Sequence, residues 1–191
     1  QEHYYNMINK KDKTEIVLEK IENQSNHIFL PIVGRKKGRL LEKLIKKLQP
    51  KLVLEIGMLV AFSTILMARN LKQGKIITIE INQEAAEIAR KNLNEAGIKN
   101  VKVILGNALK IIPKLKSKFD FVFIDAVKED YLNYLKLIES KLNKNAIIVA
   151  DNAKIFASEM KDYLDYVRTS KNYKSKFYDF DEDGMEVSIK I

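Results

Sequence analysis

The chain has 191 residues, which is enough for one domain with a substantial core and too few for two ordinary domains. Hydrophobic residues make up 46% and charged residues 31% of the sequence, and no apolar run approaches the roughly 20 residues that a membrane helix requires. Because no signal-peptide pattern is present either, we expect a cytoplasmic protein without a membrane partner.

The absence of cysteine excludes disulfides, thiolate metal sites and cysteine nucleophiles. The formal net charge of +9 raises the hypothesis of a nucleic-acid partner. Only five of the 34 basic residues are arginine, however, and arginine is the better ligand for phosphate. A lysine-rich charge of this kind is more typical of a solvated surface, and a nucleic-acid partner is left as an alternative.

The predicted elements alternate between helices and strands after a charged helical extension over residues 1–30. A helix (GRLLEKLIKKLQ) is followed by a strand (KLVLEIG), a helix (STILMARNL), a strand (KIITIEI) and a helix (QEAAEIARKNLNEAG). The next elements are a strand (VKVIL), a short helix (ALKIIPKL), a strand (FDFVFID), a helix (EDYLNYLKLIESKL), a strand (AIIVADN) and a helix (FASEMKDYLDYVRTS). Two final strands, in YKSKFYDF and GMEVSIKI, are joined by DEDG and predict a hairpin.

This alternation predicts an α/β fold with a doubly wound, mostly parallel seven-stranded sheet, helices on both faces and an antiparallel C-terminal hairpin. We expect a single domain over residues 1–191, because no repeat, low-complexity segment or linker divides the chain. In such a sheet, ligands bind beyond the carboxyl ends of the strands. Acidic residues fall at four of these ends and predict a site there: Glu55, Glu80, Asp125 and Asp151.

The segment VLEIGMLVAFST predicts a strand, a turn with one glycine and a helix. It matches neither G-x-G-x-x-G nor G-x-x-x-x-G-K-S/T, which excludes the nicotinamide, flavin and nucleoside-triphosphate fingerprints. Gly57 and Ser63 either contact a ligand or only permit a tight turn and cap a helix. Glu80, at the end of the next strand, favours a ligand, because a carboxylate there can accept both hydroxyls of a ribose. Together these features predict a nucleoside cofactor.

Segments spread over most of the chain resemble the class I S-adenosylmethionine-dependent O-methyltransferases of the catechol and caffeoyl-CoA type. The order and spacing of the matching segments carry the resemblance: VGRKKGRLLEKLI, LVLEIGMLVAFST, ITIEINQE, GNALKIIPKL, FIDAVKEDY and VADN. The resemblance implies the Rossmann-like class I methyltransferase fold and S-adenosylmethionine as the cofactor.

The resemblance also implies roles for individual residues. Val33 would offer its backbone amide to the methionine carboxylate, which Ser63 would help to hold. Glu55 and Gly57 would line the amino-acid part of the cofactor, and Glu80 would hold the ribose. The remaining cofactor-binding positions are two near the adenine and one shared with the metal site: Asn107, Ala108 and Asp125.

Two apolar runs, FVFID and AIIVADN, end on hard oxygen side chains. Adjacent parallel strands lie about 4.8 Å apart, so neighbouring strand ends can share one ion. Asp125, Asp151 and Asn152 offer two carboxylates and an amide, which suit Mg²⁺, Mn²⁺ or Ca²⁺, and the resemblance implies that these three bind the metal. The alternative is that Asp151 and Asn152 form an Asx turn while Asp125 caps a helix.

Lys128 follows Asp125 by three positions, as in the D-x-x-K motif of the family, whose lysine removes the proton from the accepting hydroxyl. A metal would lower the pKa of that hydroxyl and support the same step. The alternative is an ordinary surface lysine. The resemblance therefore implies an enzyme that transfers a methyl group from S-adenosylmethionine to a hydroxyl of a small catechol-like or phenolic acceptor, with Lys128 as the catalytic residue.

Two other functions stay open. Some relatives methylate a hydroxylated uridine in tRNA, and the net charge of +9 keeps that acceptor as an alternative. The chain also has Ala61 where the family usually has a second glycine, which leaves open a cofactor-binding protein without catalysis. Asp179 and Asp181 are candidate acceptor contacts, with exposed hairpin acids as the alternative. The family often forms homodimers, but the sequence does not fix the oligomeric state, the metal or the acceptor.

Overall fold

The computed structural model describes residues 12–191. Its strands are β1 (Leu52–Ile56), β2 (Lys75–Glu80), β3 (Val101–Leu105), β4 (Phe119–Ile124), β5 (Leu142–Ala150), β6 (Tyr173–Asp179) and β7 (Gly184–Lys190). Its α-helices are α1 (Lys13–Ser25), α2 (Gly34–Leu48), α3 (Phe62–Ala68), α4 (Gln83–Glu95), α5 (Ala108–Ile111), α6 (Tyr131–Ile138) and α7 (Lys161–Thr169). Short 3₁₀ helices follow α5 and flank α6, at Ile112–Lys114, Lys128–Asp130 and Glu139–Lys141. The first eleven residues of the predicted helical extension lie outside the described residues.

The seven strands form one sheet in the order β3-β2-β1-β4-β5-β7-β6. Strands β1 to β5 are parallel, and β7 is antiparallel to both β5 and β6. This topology confirms the predicted doubly wound, mostly parallel sheet with an antiparallel C-terminal hairpin. The order reverses between β1 and β4, and in open α/β sheets the crevice at such a reversal is where ligands bind.

Helices on both faces bury the central strands, so these strands have apolar side chains on both sides. In β4, Phe121 and Phe123 join the core beneath α1 to α4. The alternate residues Val122 and Ile124 join the core beneath α5 to α7. A continuous apolar run is therefore what this strand requires, because successive side chains point to opposite faces.

Several element boundaries differ from the prediction, among them the starts of β5 and α7. Strand β5 begins at Leu142, which pairs with Phe119 before the register shifts, and not near Ala146. Helix α7 begins only at Lys161, because the residues after β5 form successive turns. Asn152 precedes these turns with a left-handed φ of 62°. The N–H of Ala153 then donates to the carbonyl of Gly184 in the C-terminal hairpin at 2.8 Å. Among the described residues, no helix has the length and apolar character needed to cross a membrane.

Candidate active site

A cavity of about 620 Å³ opens beyond the carboxyl ends of the parallel strands. Its volume falls within the roughly 300–1,000 Å³ typical of small-molecule sites. All predicted cofactor, metal and catalytic residues except Glu55 line it: Val33, Gly57, Ser63, Glu80, Asn107, Ala108, Asp125, Lys128, Asp151 and Asn152. The fold therefore brings the predicted cofactor, metal and catalytic residues to one place.

The carboxylate of Glu80 stabilises the turn after β1. Its two oxygens accept hydrogen bonds from the backbone N–H groups of Leu59 and Asn82, each at 2.9 Å. Each carboxylate oxygen has a second lone pair, so Glu80 can still accept from a ligand. Glu80 is 8% exposed and lines the cavity. It thus shapes the turn and remains available to hydroxyl donors.

The same turn contains three residues with left-handed backbone. Gly57 has a φ of +86°, and a Cβ there would overlap the backbone carbonyl oxygen of Asp125. The fold therefore requires glycine at this position with or without a ligand. Leu59 and Ala61 also have positive φ values, of 49° and 73°. For non-glycine residues this conformation costs roughly 1–2 kcal/mol each, so the turn is held by its surroundings against local strain.

Glu55 lies behind the cavity wall and is fully buried. Its carboxylate oxygens accept hydrogen bonds from the hydroxyls of Ser63 and Thr64, each at 2.6 Å. Burial raises the pKa of Glu55 to about 7, although these hydroxyls act in the opposite direction. Ser63 lines the cavity and Glu55 does not. The expected contact of Glu55 with the amino-acid part of the cofactor stays a prediction.

The adenine end of the predicted site is formed by the turn after β3. Asn107 caps α5, since its side-chain oxygen accepts from the N–H of Leu109 at 2.8 Å. Ala108 is the first residue of that helix and is buried. Both residues line the cavity on the side of Glu80, because β3 and β2 are neighbours in the sheet.

The predicted metal ligands meet beyond the ends of β4 and β5. The N–H of Asp125 donates to the carbonyl of Ile56 and that of Asp151 to the carbonyl of Ile124, which aligns the two acids at the sheet edge. Asp151 is only 1% exposed. Burial, and then the negative charge of Asp125, raise the pKa of Asp151 to about 7.

This arrangement fits a divalent cation. Two acids that repel each other in a buried place are stabilised by positive charge, and carboxylate and amide oxygens are the ligands that Mg²⁺ and Ca²⁺ prefer. Asp151 Oδ1 is buried and accepts no hydrogen bond from the part of the chain that the structure describes. Over residues 12–191 no three histidine, cysteine, aspartate or glutamate side chains form a metal cluster. The candidate set is therefore two carboxylates completed by the amide of Asn152.

Lys128 lies in the 3₁₀ helix directly after β4. Its ammonium group donates to Asp125 Oδ1 and to the Tyr131 hydroxyl, each at 2.9 Å. The ring of Phe156 lies over the same group, with its centroid 5.8 Å from Nζ. The Lys128 side chain is 14% exposed. These contacts distinguish Lys128 from an ordinary surface lysine and fix it beside a predicted metal ligand.

Large apolar side chains surround the mouth of the cavity beside Lys128. Phe29, in the loop before α2, is 93% exposed, and Val127, Ile155 and Phe156 are also exposed. All four line the cavity. Clustered exposed apolar groups of this kind mark ligand-binding surfaces, and this one suits a flat, apolar ligand.

Comparison with known proteins identifies the family. The sequence profile of the O-methyltransferase family matches residues 9–174. The chain belongs to the O-methyltransferase family. This confirms the resemblance that the sequence motifs indicated.

This O-methyltransferase family member is similar to known catechol O-methyltransferases. It is 38% identical over 172 residues to catechol O-methyltransferase B of Danio rerio, a match that covers 82% of this chain and 64% of that protein. It is 32% identical over 172 residues to catechol O-methyltransferase of Sus scrofa, with 82% of this chain and 91% of that protein covered. The chain thus spans less than two thirds of the Danio rerio relative.

A solved structure of similar fold is that of cofactor-bound Rv0187 from MTB, with a TM-score of 0.82 and 29% sequence identity. The superposition covers 94% of this chain and 90% of that chain. The sheet and helices described above are therefore shared with that structure along nearly the whole chain.

Two charged residues in contact with the predicted metal ligands were missed by the sequence analysis. Lys37, in the first turn of α2, lies with its Nζ 2.7 Å from Asp151 Oδ1 and donates to Asp183 Oδ2 at 2.7 Å. Asp183 also accepts from the amide nitrogen of Asn152 at 2.8 Å. These residues are far apart in the sequence and share no motif. The available signals were the matching segment VGRKKGRLLEKLI, which contains Lys37, and an acidic residue in the hairpin turn.

The acids chosen from that hairpin, Asp179 and Asp181, do not line the cavity. Both are exposed. Asp179 forms an ion pair with Lys154 at 2.9 Å, and Asp181 forms one with Lys36 at 3.1 Å. This agrees with the alternative of exposed hairpin acids. Asp183 is the hairpin residue that contacts the cavity-lining residues Asn152 and Lys37.

Proposed function

We propose that this chain transfers a methyl group from S-adenosylmethionine to a hydroxyl of a small catechol-like or phenolic acceptor, with the help of a divalent cation such as Mg²⁺. The observation that carries the proposal is the meeting of Glu80, the Asp125–Asp151–Asn152 set and Lys128 in one cavity. The similarity to catechol O-methyltransferases supports the same acceptor class.

The cofactor would extend along the ends of β1, β2 and β3. Its methionine end would be held by the Val33 amide and the Ser63 hydroxyl, and its ribose by Glu80. The adenine would lie near the turn at Asn107 and Ala108. When bound, S-adenosylmethionine supplies an electrophilic methyl group on a sulfonium. A solved neighbour of this fold is cofactor-bound, which supports this assignment.

A divalent cation would be held by Asp125, Asp151 and Asn152. It would supply positive charge that favours the ionised form of an acceptor hydroxyl. Asp151 is suited to this role because its Oδ1 is buried and accepts no aligned hydrogen bond from the described residues, although Lys37 Nζ lies 2.7 Å away. The ligand set leaves further coordination positions for water and acceptor, as Mg²⁺ requires.

In its neutral amine form, Lys128 would take the proton of the acceptor hydroxyl at Nζ. Its contacts with Asp125 and Tyr131 hold Nζ at the boundary between the predicted metal edge and the apolar mouth. A general base must be within hydrogen-bond reach of the proton it removes, and an acceptor that touches the metal edge would meet this condition. The apolar side chains of Phe29, Val127 and Phe156 would hold the acceptor ring and exclude water.

The decisive experiment is a methyl-transfer assay with a panel of catechols and with bulk tRNA, each with and without Mg²⁺. We expect methylated catechol and one equivalent of S-adenosylhomocysteine only when the metal is present. Methylation of tRNA instead, with a steep loss of binding at higher salt, would select the tRNA alternative. Cofactor binding by calorimetry without any turnover would select the alternative of a non-catalytic protein. The cytoplasmic location, the homodimer and a single domain over residues 1–191 stay predictions.

A further inference from the structure

Asp183 connects three separate parts of the chain at the predicted metal edge. It is the last residue of the turn between β6 and β7, and its side chain is 13% exposed. Its Oδ2 accepts hydrogen bonds from Lys37 Nζ at 2.7 Å and from Asn152 Nδ2 at 2.8 Å. Its Oδ1 faces the N–H of Ile155 at 3.4 Å. One carboxylate is therefore surrounded by donors from α2 and from the turns after β5.

The contact with Asn152 has a chemical consequence. A side-chain amide has a donating nitrogen and an accepting oxygen, whereas an ionised carboxylate can only accept. Asp183 therefore binds the nitrogen of Asn152 and leaves the amide oxygen for another partner. A cation binds only the oxygen. The carboxylate at position 183 thus selects the amide orientation that a metal site needs.

The contact between Asp183 and Lys37 affects Asp151, the other predicted metal ligand that follows β5. The Lys37 ammonium lies between Asp183 and Asp151, and it donates to Asp151 Oδ2 at 2.8 Å. Asp151 Oδ1 is 2.7 Å from the same nitrogen but accepts no aligned hydrogen bond from the described residues. Lys37 therefore fixes the Asp151 carboxylate through one oxygen and leaves a lone pair on the other.

We infer that Asp183 is a positioning residue of the metal site, which orients the amide of Asn152 directly and the carboxylate of Asp151 through Lys37. This inference rests on the proposed metal-dependent function. Such outer partners of metal ligands commonly change metal affinity by about 10- to 100-fold when they are removed. Asp183 itself need not touch the ion, the cofactor or the acceptor.

The test is a titration of Mn²⁺ into cofactor-free protein, followed by calorimetry or by the electron paramagnetic resonance of free Mn²⁺. Asp183→Asn preserves the shape of the side chain but removes the carboxylate. We expect about 10- to 100-fold weaker Mn²⁺ binding, with the affinity for S-adenosylhomocysteine in the absence of metal unchanged. The matched control is Asp181→Asn, in the same turn, whose carboxylate is exposed and pairs with Lys36. This control should bind Mn²⁺ like the wild-type protein.

A rescue variant separates positioning from a general loss of stability. In the double variant Asn152→Asp with Asp183→Asn, the carboxylate and the amide exchange places, so that an amide nitrogen can again donate across the pair while an oxygen faces the ion. We expect this variant to bind Mn²⁺ more tightly than Asp183→Asn alone. If Asp183→Asn does not fold, the double variant still tests the pair, with metal affinity near wild type expected.

The outcomes separate this inference from the function on which it rests. Mn²⁺ binding by Asp183→Asn within twofold of wild type would overturn the positioning role alone. A double variant that folds but binds the ion no better than the single one would also overturn that role. If the wild-type protein itself binds no Mn²⁺, both the proposed metal site and the role of Asp183 are wrong.

Discussion

Lys128 and Asp125 form an ion pair, with Nζ 2.9 Å from Oδ1, so the predicted base and a predicted metal ligand are in direct contact. A cation bound by Asp125 would therefore act on the acceptor hydroxyl and on Lys128 at the same time. This relationship makes the loss of Lys128 a sharp test of the mechanism.

We expect Lys128→Met to lower kcat by about 10²–10⁴-fold, the usual contribution of a general base, with little change in KM. Methionine keeps an apolar stem of similar length but lacks the basic nitrogen. Lys128→Arg should restore little activity, because a guanidinium does not give up its proton near neutral pH. The measurement is steady-state kinetics on a catechol for which methyl transfer limits the rate.

The matched control is Lys136→Met in α6, which removes an exposed lysine that pairs with Glu139. Its kcat should equal that of the wild-type protein. A Lys128→Met enzyme that retains at least half of the wild-type kcat would show that Lys128 is not the base.

Removal of the metal should abolish turnover without preventing cofactor binding, because the two groups use largely different residues. We expect no methyl transfer in excess chelator and full recovery with Mg²⁺ or Mn²⁺. Asp151→Ala should lose Mn²⁺ binding yet retain most of the affinity for S-adenosylhomocysteine, measured by calorimetry. Undiminished turnover in excess chelator would contradict the metal assignment.

Much of the fold could be predicted because continuous apolar runs in the sequence indicate strands that are buried on both faces. The run FVFI of β4 is apolar throughout, since Phe121 and Phe123 enter one core and Val122 and Ile124 the other. Asp125 was predicted to lie at the carboxyl edge of the sheet because the apolar run stops there. The parallel order of the strands then brought these ends together without further information.

The remaining features depend on contacts between distant parts of the chain. Lys37, Asp151 and Asp183 meet only because α2 and the C-terminal hairpin pack on the same edge of the sheet. The late start of α7 has a similar origin, since the N–H of Ala153 donates to the carbonyl of Gly184 at 2.8 Å. Local helix propensity in FASEMKDYLDYVRTS does not report that contact. The burial of Glu55 was hidden likewise, because Ser63 and Thr64 cover it only in the folded chain.

Ala61 should cost stability through its left-handed backbone, and Ala61→Gly tests this. Glycine removes a strain of roughly 1–2 kcal/mol. It also loses a buried methyl group worth about 0.8 kcal/mol and adds about 0.5–1 kcal/mol of backbone entropy. We therefore expect a free energy of unfolding within about 1 kcal/mol of wild type.

The control for this substitution is Ala96→Gly, at a buried alanine with an ordinary φ of −72° at the end of α4. It has the same two losses without any relief of strain, so we expect about 1–2 kcal/mol of destabilisation. Urea unfolding measures both values. Equal destabilisation by the two substitutions would mean that the backbone at Ala61 is not strained.

Glu80→Gln should weaken cofactor binding by at least about tenfold, because hydrogen bonds to a charged group contribute roughly 1.5–3 kcal/mol each. In the wild-type protein Glu80 accepts hydrogen bonds from the N–H groups of Leu59 and Asn82. The amide nitrogen of glutamine would face one of these two donors, so we also expect some loss of stability. Calorimetry with S-adenosylhomocysteine gives the affinity, and Glu84→Gln, on the exposed face of α4, is the control. An unchanged affinity in a folded Glu80→Gln protein would remove Glu80 from the cofactor site.

The last prediction concerns the buried carboxyl of Glu55, whose pKa is raised to about 7 from an ordinary value of 4.5. Between these two pH values, the folded protein holds a proton at Glu55 that the unfolded chain has released. The contribution of Glu55 to the free energy of unfolding must therefore fall as pH rises from 4.5 to about 7. The full effect is on the order of 3 kcal/mol for a shift of this size.

Glu55→Gln should remove this contribution. A glutamine fits the same space, and the Ser63 and Thr64 hydroxyls can rotate to accept as well as donate. We expect the variant to gain stability relative to wild type as pH rises from about 5 to about 8, measured by urea unfolding at both values. Asp151 also has a raised pKa, but it is present in both proteins, so its effect cancels in the comparison. Parallel pH profiles of the free energy of unfolding for the two proteins would show that the pKa of Glu55 is not raised.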